Sequence, residues 1–199
     1  NNSFPLIGID SRSTMQKSIN VYGCYEPLMV KKICKNVGEK DIVYDIGAHI
    51  GYYSSIFNKV TKCKKVVSLE PDFYASNLIR RNTNERSIVV NKFIGSRVNH
   101  NTTTLNDLVS SIKLKPTVIK MDIEGFEVEA FDGGWEIIRE LRPQIFLEFH
   151  PKFINKKNPN GLKCLVEELF KLYNLEYTRN HWGHIKGEET AKCEWEKAT

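Results

Sequence analysis

Long apolar runs are missing from this chain of 199 residues. No stretch approaches the ~20 consecutive apolar residues that a membrane-crossing helix needs, so no membrane span is expected. Paired cysteines are missing too. Cys24, Cys34, Cys63, Cys164 and Cys193 are odd in number and contain no C-x-x-C. That argues against a disulfide framework or a zinc site, and for a reducing, cytoplasmic setting. No repeat or low-complexity tract occurs, which excludes solenoids and arrays. The opening Asn1-Asn2-Ser3-Phe4-Pro5 has neither the basic nor the apolar region of a signal peptide. No basic run interleaved with aromatics marks a nucleic-acid surface. The net charge of +5 permits an anionic substrate without demanding one. The G-x-G-x-x-G dinucleotide fingerprint is absent as well.

What is present is Asp45-Ile46-Gly47-Ala48-His49-Ile50-Gly51, between an apolar strand pattern (Asp41-Ile42-Val43-Tyr44) and a helical one (Tyr53, Ile56, Phe57, Val60). A strand, a glycine turn and a helix present backbone N–H groups and a positive helix end to a ligand. Aligned on Gly47 as the second glycine of a dinucleotide motif, Asp45 takes the first glycine position and Ile50 the third. A carboxylate there disfavours the pyrophosphate of NAD or FAD. It suits the ammonium and sulfonium of S-adenosylmethionine (SAM). A second strand, Lys65-Val66-Val67-Ser68-Leu69, ends in Glu70-Pro71-Asp72, and Glu70 lies 19 residues past Gly51. That is close to the offset of about 20 at which an acid grips ribose hydroxyls in nucleotide-binding α/β folds.

The rest of the chain alternates in the same manner. Ile19–Tyr22 predicts a short strand, and 26–37 a helix striped by Leu28, Met29, Ile33 and Val37. Asp72 can cap a helix reaching about Asn84, and 88–95 reads as a third strand. Thr104–Ile112 predicts a helix and 117–122 a fourth strand. A helix carrying Val128, Phe131, Trp135, Ile138 and Leu141 follows, weakened at Gly133-Gly134. Gln144–His150 makes a fifth strand, 152–160 a basic loop, and 162–173 an amphipathic helix. Pieces at 175–178 and 184–186 predict a terminal hairpin about Trp182-Gly183. Such alternation argues for an open parallel sheet with ligands beyond the carboxyl ends of its strands. That rule sets Asp45, Glu70, Ser96, Asp122, Glu124, Glu148 and His150 along one rim.

Four blocks resemble the FkbM family of SAM-dependent methyltransferases, within the class I superfamily. They are the glycine block 45–51, Leu69-Glu70-Pro71, Ile119–Glu127 and Leu147-Glu148-Phe149-His150. Thr104-Leu105-Asn106-Asp107-Leu108 is similar to a stretch preceding the third block. Departures are His49, where the family most often has asparagine, and Asn106 in place of aspartate. The resemblance implies a Rossmann-like fold: a mostly parallel seven-stranded sheet, helices on both faces and a C-terminal antiparallel hairpin. It implies one methyltransferase domain over 1–199, with a cap or lid at 1–37 and the core at 38–199. Tyr22, Tyr25 and Glu26 are then candidates for the cofactor mouth. The lack of an initiator Met fits a module excised from a larger glycan-modifying protein, for instance one with glycosyltransferase domains.

The cofactor set expected from turn, offset and family is Asp45, Gly47, Ala48, His49, Gly51, Glu70, Pro71, Asp72, Gly95, Ser96 and Asp122. Gly95-Ser96 stand where the class I fold usually holds adenine. His150 is the expected base, since imidazole titrates near neutrality. Glu148, two residues earlier on one strand face, is expected to orient it or the acceptor. Asp122 is expected near the sulfonium and Glu124 toward the acceptor, the alternative being a loop-fixing network closed by Lys120. These acids could also hold magnesium, but carboxylates beside a sulfonium have a use without it. The expected reaction is O-methylation of a hydroxyl of a sugar or glycan. RNA methylation is the alternative, although the [ND]-P-P-[YF] loop for exocyclic amines is missing. A catalytically silent binding module is the other alternative.

Overall fold

The computed structural model describes residues 5–10 and 13–176. Five parallel strands make the central sheet: β1 (Ile42–Ile46), β2 (Lys65–Leu69), β3 (Ser87–Val90), β6 (Val118–Met121) and β7 (Gln144–Leu147), in the order β3-β2-β1-β6-β7. The order reverses at β1, which pairs with β2 on one side and β6 on the other. Ligands of open α/β sheets lie at that reversal. A separate two-stranded parallel sheet joins β4 (Phe93–Ile94) to β5 (Thr102–Thr103).

Alternation along the strands builds two cores. Tyr44, Ile46, Val67, Leu69, Ile119 and Met121 face one way, onto α5 (Leu105–Ile112), α6 (Glu127–Asp132), α7 (Trp135–Leu141) and α9 (Gly161–Leu172). Val43, Val66, Val118 and Phe146 face the other way, onto α2 (Pro27–Asn36), α3 (Tyr52–Ser55) and the π-helical turn Ile56–Val60 that continues α3. The strands are near-continuously apolar because both faces are covered.

Several expectations change. Ile19–Tyr22 is the end of helix α1 (Thr14–Tyr22), not a strand. The Ser13 hydroxyl caps it by accepting from Gln16 N, and Gly23 closes it at φ +74°. Residues 151–157, expected as loop, form α8 (Pro151–Lys157), with Pro151 in the first turn and Ile154 buried. The third strand stops at Val90, and 93–94 leave for the small sheet. The helix over 128–141 is two helices that part at Gly133-Gly134, and Gly133 lies against the Gly95 carbonyl, where a Cβ would come within 2.2 Å. Among the described residues the main sheet therefore has five strands rather than the expected seven. The hairpin that was to supply the other two falls on 177–199, outside the described residues apart from 175–176, which form no strand. No helix among the described residues is long and apolar enough to cross a membrane. Cys24, Cys34, Cys63 and Cys164 are free thiols.

Candidate active site

Gly47, Ala48, His49 and Gly51 form the tip of β1. Gly47 (φ +77°) has no substitute, since a Cβ there would lie 1.8 Å from the Asp122 carbonyl oxygen. The loop's N–H groups, expected to face a ligand, are instead used within the fold. Gly47 N and Ala48 N both donate to the Leu69 carbonyl, Gly51 N to that of Ala48, and His49 N to Glu70 Oε2 at 2.8 Å. The loop therefore contributes shape more than donors.

Glu70, at the tip of β2, is nearly buried and binds two stretches of chain. Its Oε2 takes His49 N, and its Oε1 takes Asp72 N at 2.9 Å. Each oxygen keeps a lone pair for a further donor such as a hydroxyl. Asp72 Oδ1 caps helix α4 (Phe73–Asn82) by accepting from Ala75 N at 2.6 Å. The Asn91 side-chain amide donates to the carbonyls of Glu70 and Pro71. Asn91 therefore stands beside β2 at the end of β3, where Gly95 and Ser96 were expected. Gly95 is buried against Thr102 and Gly133, and Ser96 is exposed, both off the five-stranded rim.

Asp45 also departs from expectation. It lies within β1, one residue below the tip, in register with Ser68 on β2 and Lys120 on β6. The three make a polar row on one sheet face, under Ser54 and Tyr53. The Ser54 hydroxyl donates to Asp45 Oδ2 at 2.5 Å, and Lys120 Nζ stands 3.8 Å from Asp45 Oδ1 and 4.8 Å from the Tyr53 ring centre. Asp45 has no exposed surface, and Lys120 is the cation beside it. Burial pushes its carboxyl up against the pull of Lys120 and Ser54. Burial works against the Lys120 ammonium, yet Asp45, Asp122, Glu26 and Glu148 together hold it above its ordinary value. Glu26, raised as a mouth residue, is a buried member of this group and accepts from the Tyr53 hydroxyl. Tyr25 is half-buried, held through its backbone by the Tyr52 hydroxyl, whereas Tyr22 is exposed at the end of α1.

Around His150 the expected acids do converge. Its Nε2 lies 3.4 Å from Glu124, 3.6 Å from Asp122 and 3.9 Å from Glu148. The expected orienting role of Glu148 belongs to another residue. His150 Nδ1 is 2.9 Å from Glu127 Oε1, a carboxylate with no exposed surface that also accepts from Gly125 N. Strand β7 ends at Leu147, so Glu148 and His150 do not share a strand face as two-residue spacing implied. Hydrogen bonding to Glu127 is the main reason the imidazole is pushed up to about 9. Burial opposes it, and the charges of Glu124, Glu127 and Asp122 add to it. Sequence reasoning missed Glu127 as a site residue, though a signal existed: it is three and four residues from the core side chains Ala130 and Phe131, an acid on a buried helix face.

Asp122, Glu124 and His150 bring one potential ligand atom each within 4.8 Å of one another. His150 already places a positive charge at that point when protonated. The cluster leaves demand for more. Asp45 Oδ1, Asp122 Oδ1 and Glu127 Oε2 are buried without a hydrogen-bond partner among the described residues. Glu26, Asp122 and Glu148 act on Lys120, and Asp122, Glu124 and Glu127 on His150, an excess of acids that favours cationic donors.

The comparisons agree with this architecture. Residues 79–177 match the methyltransferase FkbM domain. No curated protein matches the sequence significantly. Among solved structures, methyltransferase FkbM from Methylobacillus flagellatus is 25% identical, with a TM-score of 0.55 over 74% of this chain and 43% of that one. This chain thus spans less than half of that protein. An O-methyltransferase from Bacillus cereus, solved with S-adenosylhomocysteine (SAH), is 15% identical with a TM-score of 0.48, over 85% of this chain and 83% of that one. TYW2 from Pyrococcus horikoshii, in complex with MeSAdo, is 17% identical with a TM-score of 0.47, over 72% of this chain and 51% of that one. Over residues 79–177 the chain is thus similar to the methyltransferase FkbM domain.

Proposed function

We propose that the protein transfers the methyl group of SAM to a hydroxyl of a sugar or glycan, with His150 as the base. The observation that carries this reading is His150 itself. It is held by a buried Glu127 and turned toward Asp122, Glu124 and Glu148 at the adjoining ends of β6 and β7. The cofactor would supply an already activated methyl on a sulfonium.

The residues fit such a ligand. Asp122, with a buried unsatisfied oxygen, would take the ammonium. Glu70 would hold the ribose, Gly47 would let the loop close on Asp122, and Glu26 and Glu148 would add negative potential. Positive charge brought against the same acids disfavours the proton on His150. The imidazole then becomes free to accept the acceptor's hydroxyl proton at Nε2, while Glu127 holds Nδ1–H. Orientation of the acceptor can supply roughly 7–11 kcal/mol. The base adds about 10²–10⁴-fold, or roughly 3–5 kcal/mol.

The hydroxyl of a sugar is favoured by the half-exposed Phe153, whose ring centre lies 6.2 Å from that of His150 and offers an apolar face. No metal is invoked, since the imidazole performs the proton transfer. His150→Ala is expected to bind SAM nearly as well as the wild type while turnover falls about 10²–10⁴-fold. Methyl-transfer assays against free sugars, glycans and RNA identify the acceptor. Transfer to RNA alone would overturn the sugar reading, and unchanged turnover in His150→Ala would remove the base.

A further inference from the structure

Two helices run away from His150 and lead to one cavity. α6 starts at Glu127, which holds His150 Nδ1, and ends at Asp132. α8 follows His150 directly and ends at Lys157, just before Asn158. Asp132 and Asn158 both line a cavity of about 280 Å³ that the proposed site does not use. Seven residues of helix rise about 10 Å, so the cavity opens one length of α8 beyond His150.

The surface along α8 carries exposed rings. The Phe153 ring centre lies 6.2 Å from that of His150. One turn further on, Lys157 Nζ lies 3.0 Å from the Phe126 ring centre. Phe126 and Phe153 are 42% and 51% exposed. Gly125, at φ +95°, lets α8 lie against the 124–126 turn, since a Cβ there would fall 2.3 Å from Phe153 Cβ.

The walls of the cavity select its ligand. Val128 and Leu165 are buried and apolar. Trp135 adds an aromatic wall, braced by Phe131 at 5.2 Å between ring centres and by the Arg139 guanidinium at 5.0 Å. Asn158 and Asn160 bring amides that both donate and accept, and Asp132 a carboxylate that accepts. The Asn158 amide packs on Gly161, where a Cβ would lie 2.5 Å from Nδ2. Among the described residues lining the cavity there is no Lys or Arg to draw an anion. The Glu168 carboxylate, also in the lining, is already matched by Lys171 at 2.5 Å and Arg139 at 3.3 Å, which leaves little demand for a cation. A neutral ring with several hydroxyls and one apolar C–H face meets these walls, and a pyranose has that form.

Resting on the reading of the protein as a sugar O-methyltransferase, we infer that its acceptor is an oligosaccharide. The reacting unit lies at His150, a remote unit fills this cavity, and the rings of Phe153 and Phe126 carry the units between. The volume is close to the low end of the ~300–1,000 Å³ of small-molecule sites, which suits a single sugar ring. Binding of the remote unit then helps to position the reacting hydroxyl.

The test is methyl transfer by the whole chain, with SAM saturating, to linear homo-oligomers of glucose, galactose, mannose and N-acetylglucosamine, one to six units long. For a sugar that is methylated, kcat/KM is expected to rise at least about tenfold from one unit to the longest. Cys164→Trp, on the exposed first turn of α9, fills the cavity. It is expected to bring the longer acceptors down to the level of the single unit. Asn160 makes no side-chain capping bond to α9, and Asn160→Ala is expected to reduce the gain about fivefold without lowering the melting temperature. Equal kcat/KM at every length, or a gain that survives in both variants, would overturn the remote subsite. Transfer to none of these sugars would instead count against the proposed function. Should Cys164→Trp melt early, Asn160→Ala decides.

Discussion

Glu127 has no exposed surface, and a buried acid is tolerated only when something holds its charge. Here that partner is His150, whose imidazole binds its proton more tightly in the folded state, at about 9 against an ordinary 6.5. A raised basic group stabilises the fold fully below its unfolded value and loses that contribution as pH rises through the folded one. Chemical denaturation is therefore expected to show about 1–3 kcal/mol less stability at pH 9.5 than at pH 6 from this group. His150→Gln should flatten that slope, and an unchanged slope would deny the pair. Under the proposed function the same bond sets the pH dependence of turnover. With SAM saturating, turnover should rise with pH as His150 deprotonates. Glu127→Gln, which keeps the shape and removes the charge, should move that rise to lower pH. A fall in turnover with no shift in the profile would make Glu127 merely structural. His150, Asp122, Glu124 and Glu148 were legible in the sequence because they sit at the ends of apolar runs. Glu127 was not, because a helical acid reads as surface until its neighbours Ala130 and Phe131 are known to be core.

The elements were legible where a pattern was long and its ends were marked. Asp72 caps its helix as expected, and Thr104, read as the first residue of a helix, is the cap of α5; each accepts from the backbone three residues on. Errors arose where tertiary contacts decide. The polar composition of 152–157 hides one anchor, Ile154, and a proline suited to a first turn. The run 88–94 is uniformly strand-like, yet it divides after Val90, and Asn91 spends its amide on Glu70 and Pro71. Between α6 and α7 the requirement for glycine is steric. Gly133 has an ordinary φ of −84°, so backbone strain plays no part, but a Cβ would strike the Gly95 carbonyl. Gly133→Ala should cost about 1–3 kcal/mol by urea denaturation. A neutral result would mean that α6, α7 and β4 are not packed as described.

Across the whole molecule, one polar row organises the site: Ser68, Asp45 and Lys120, in register on three strands and sealed from solvent. Spacing marked Asp45 as unusual but did not show its neighbours Lys120 and Ser54, because a sequence does not show that β1 continues one residue beyond it. Lys120 is the only ammonium of this row, facing Asp45 and Asp122. Lys120→Met leaves buried acids without their cation, and it should cost about 3–5 kcal/mol of stability. Above that row stand Asp122, Glu124, Glu148 and His150, where the proposed function places a cationic, ribose-bearing cofactor. The most direct measurement is calorimetric titration of the wild-type chain with SAM, repeated with Glu70→Ala. One-to-one saturable binding, weakened at least tenfold by the substitution, is the expected result. No detectable binding of SAM, or equal binding by Glu70→Ala, would contradict the account.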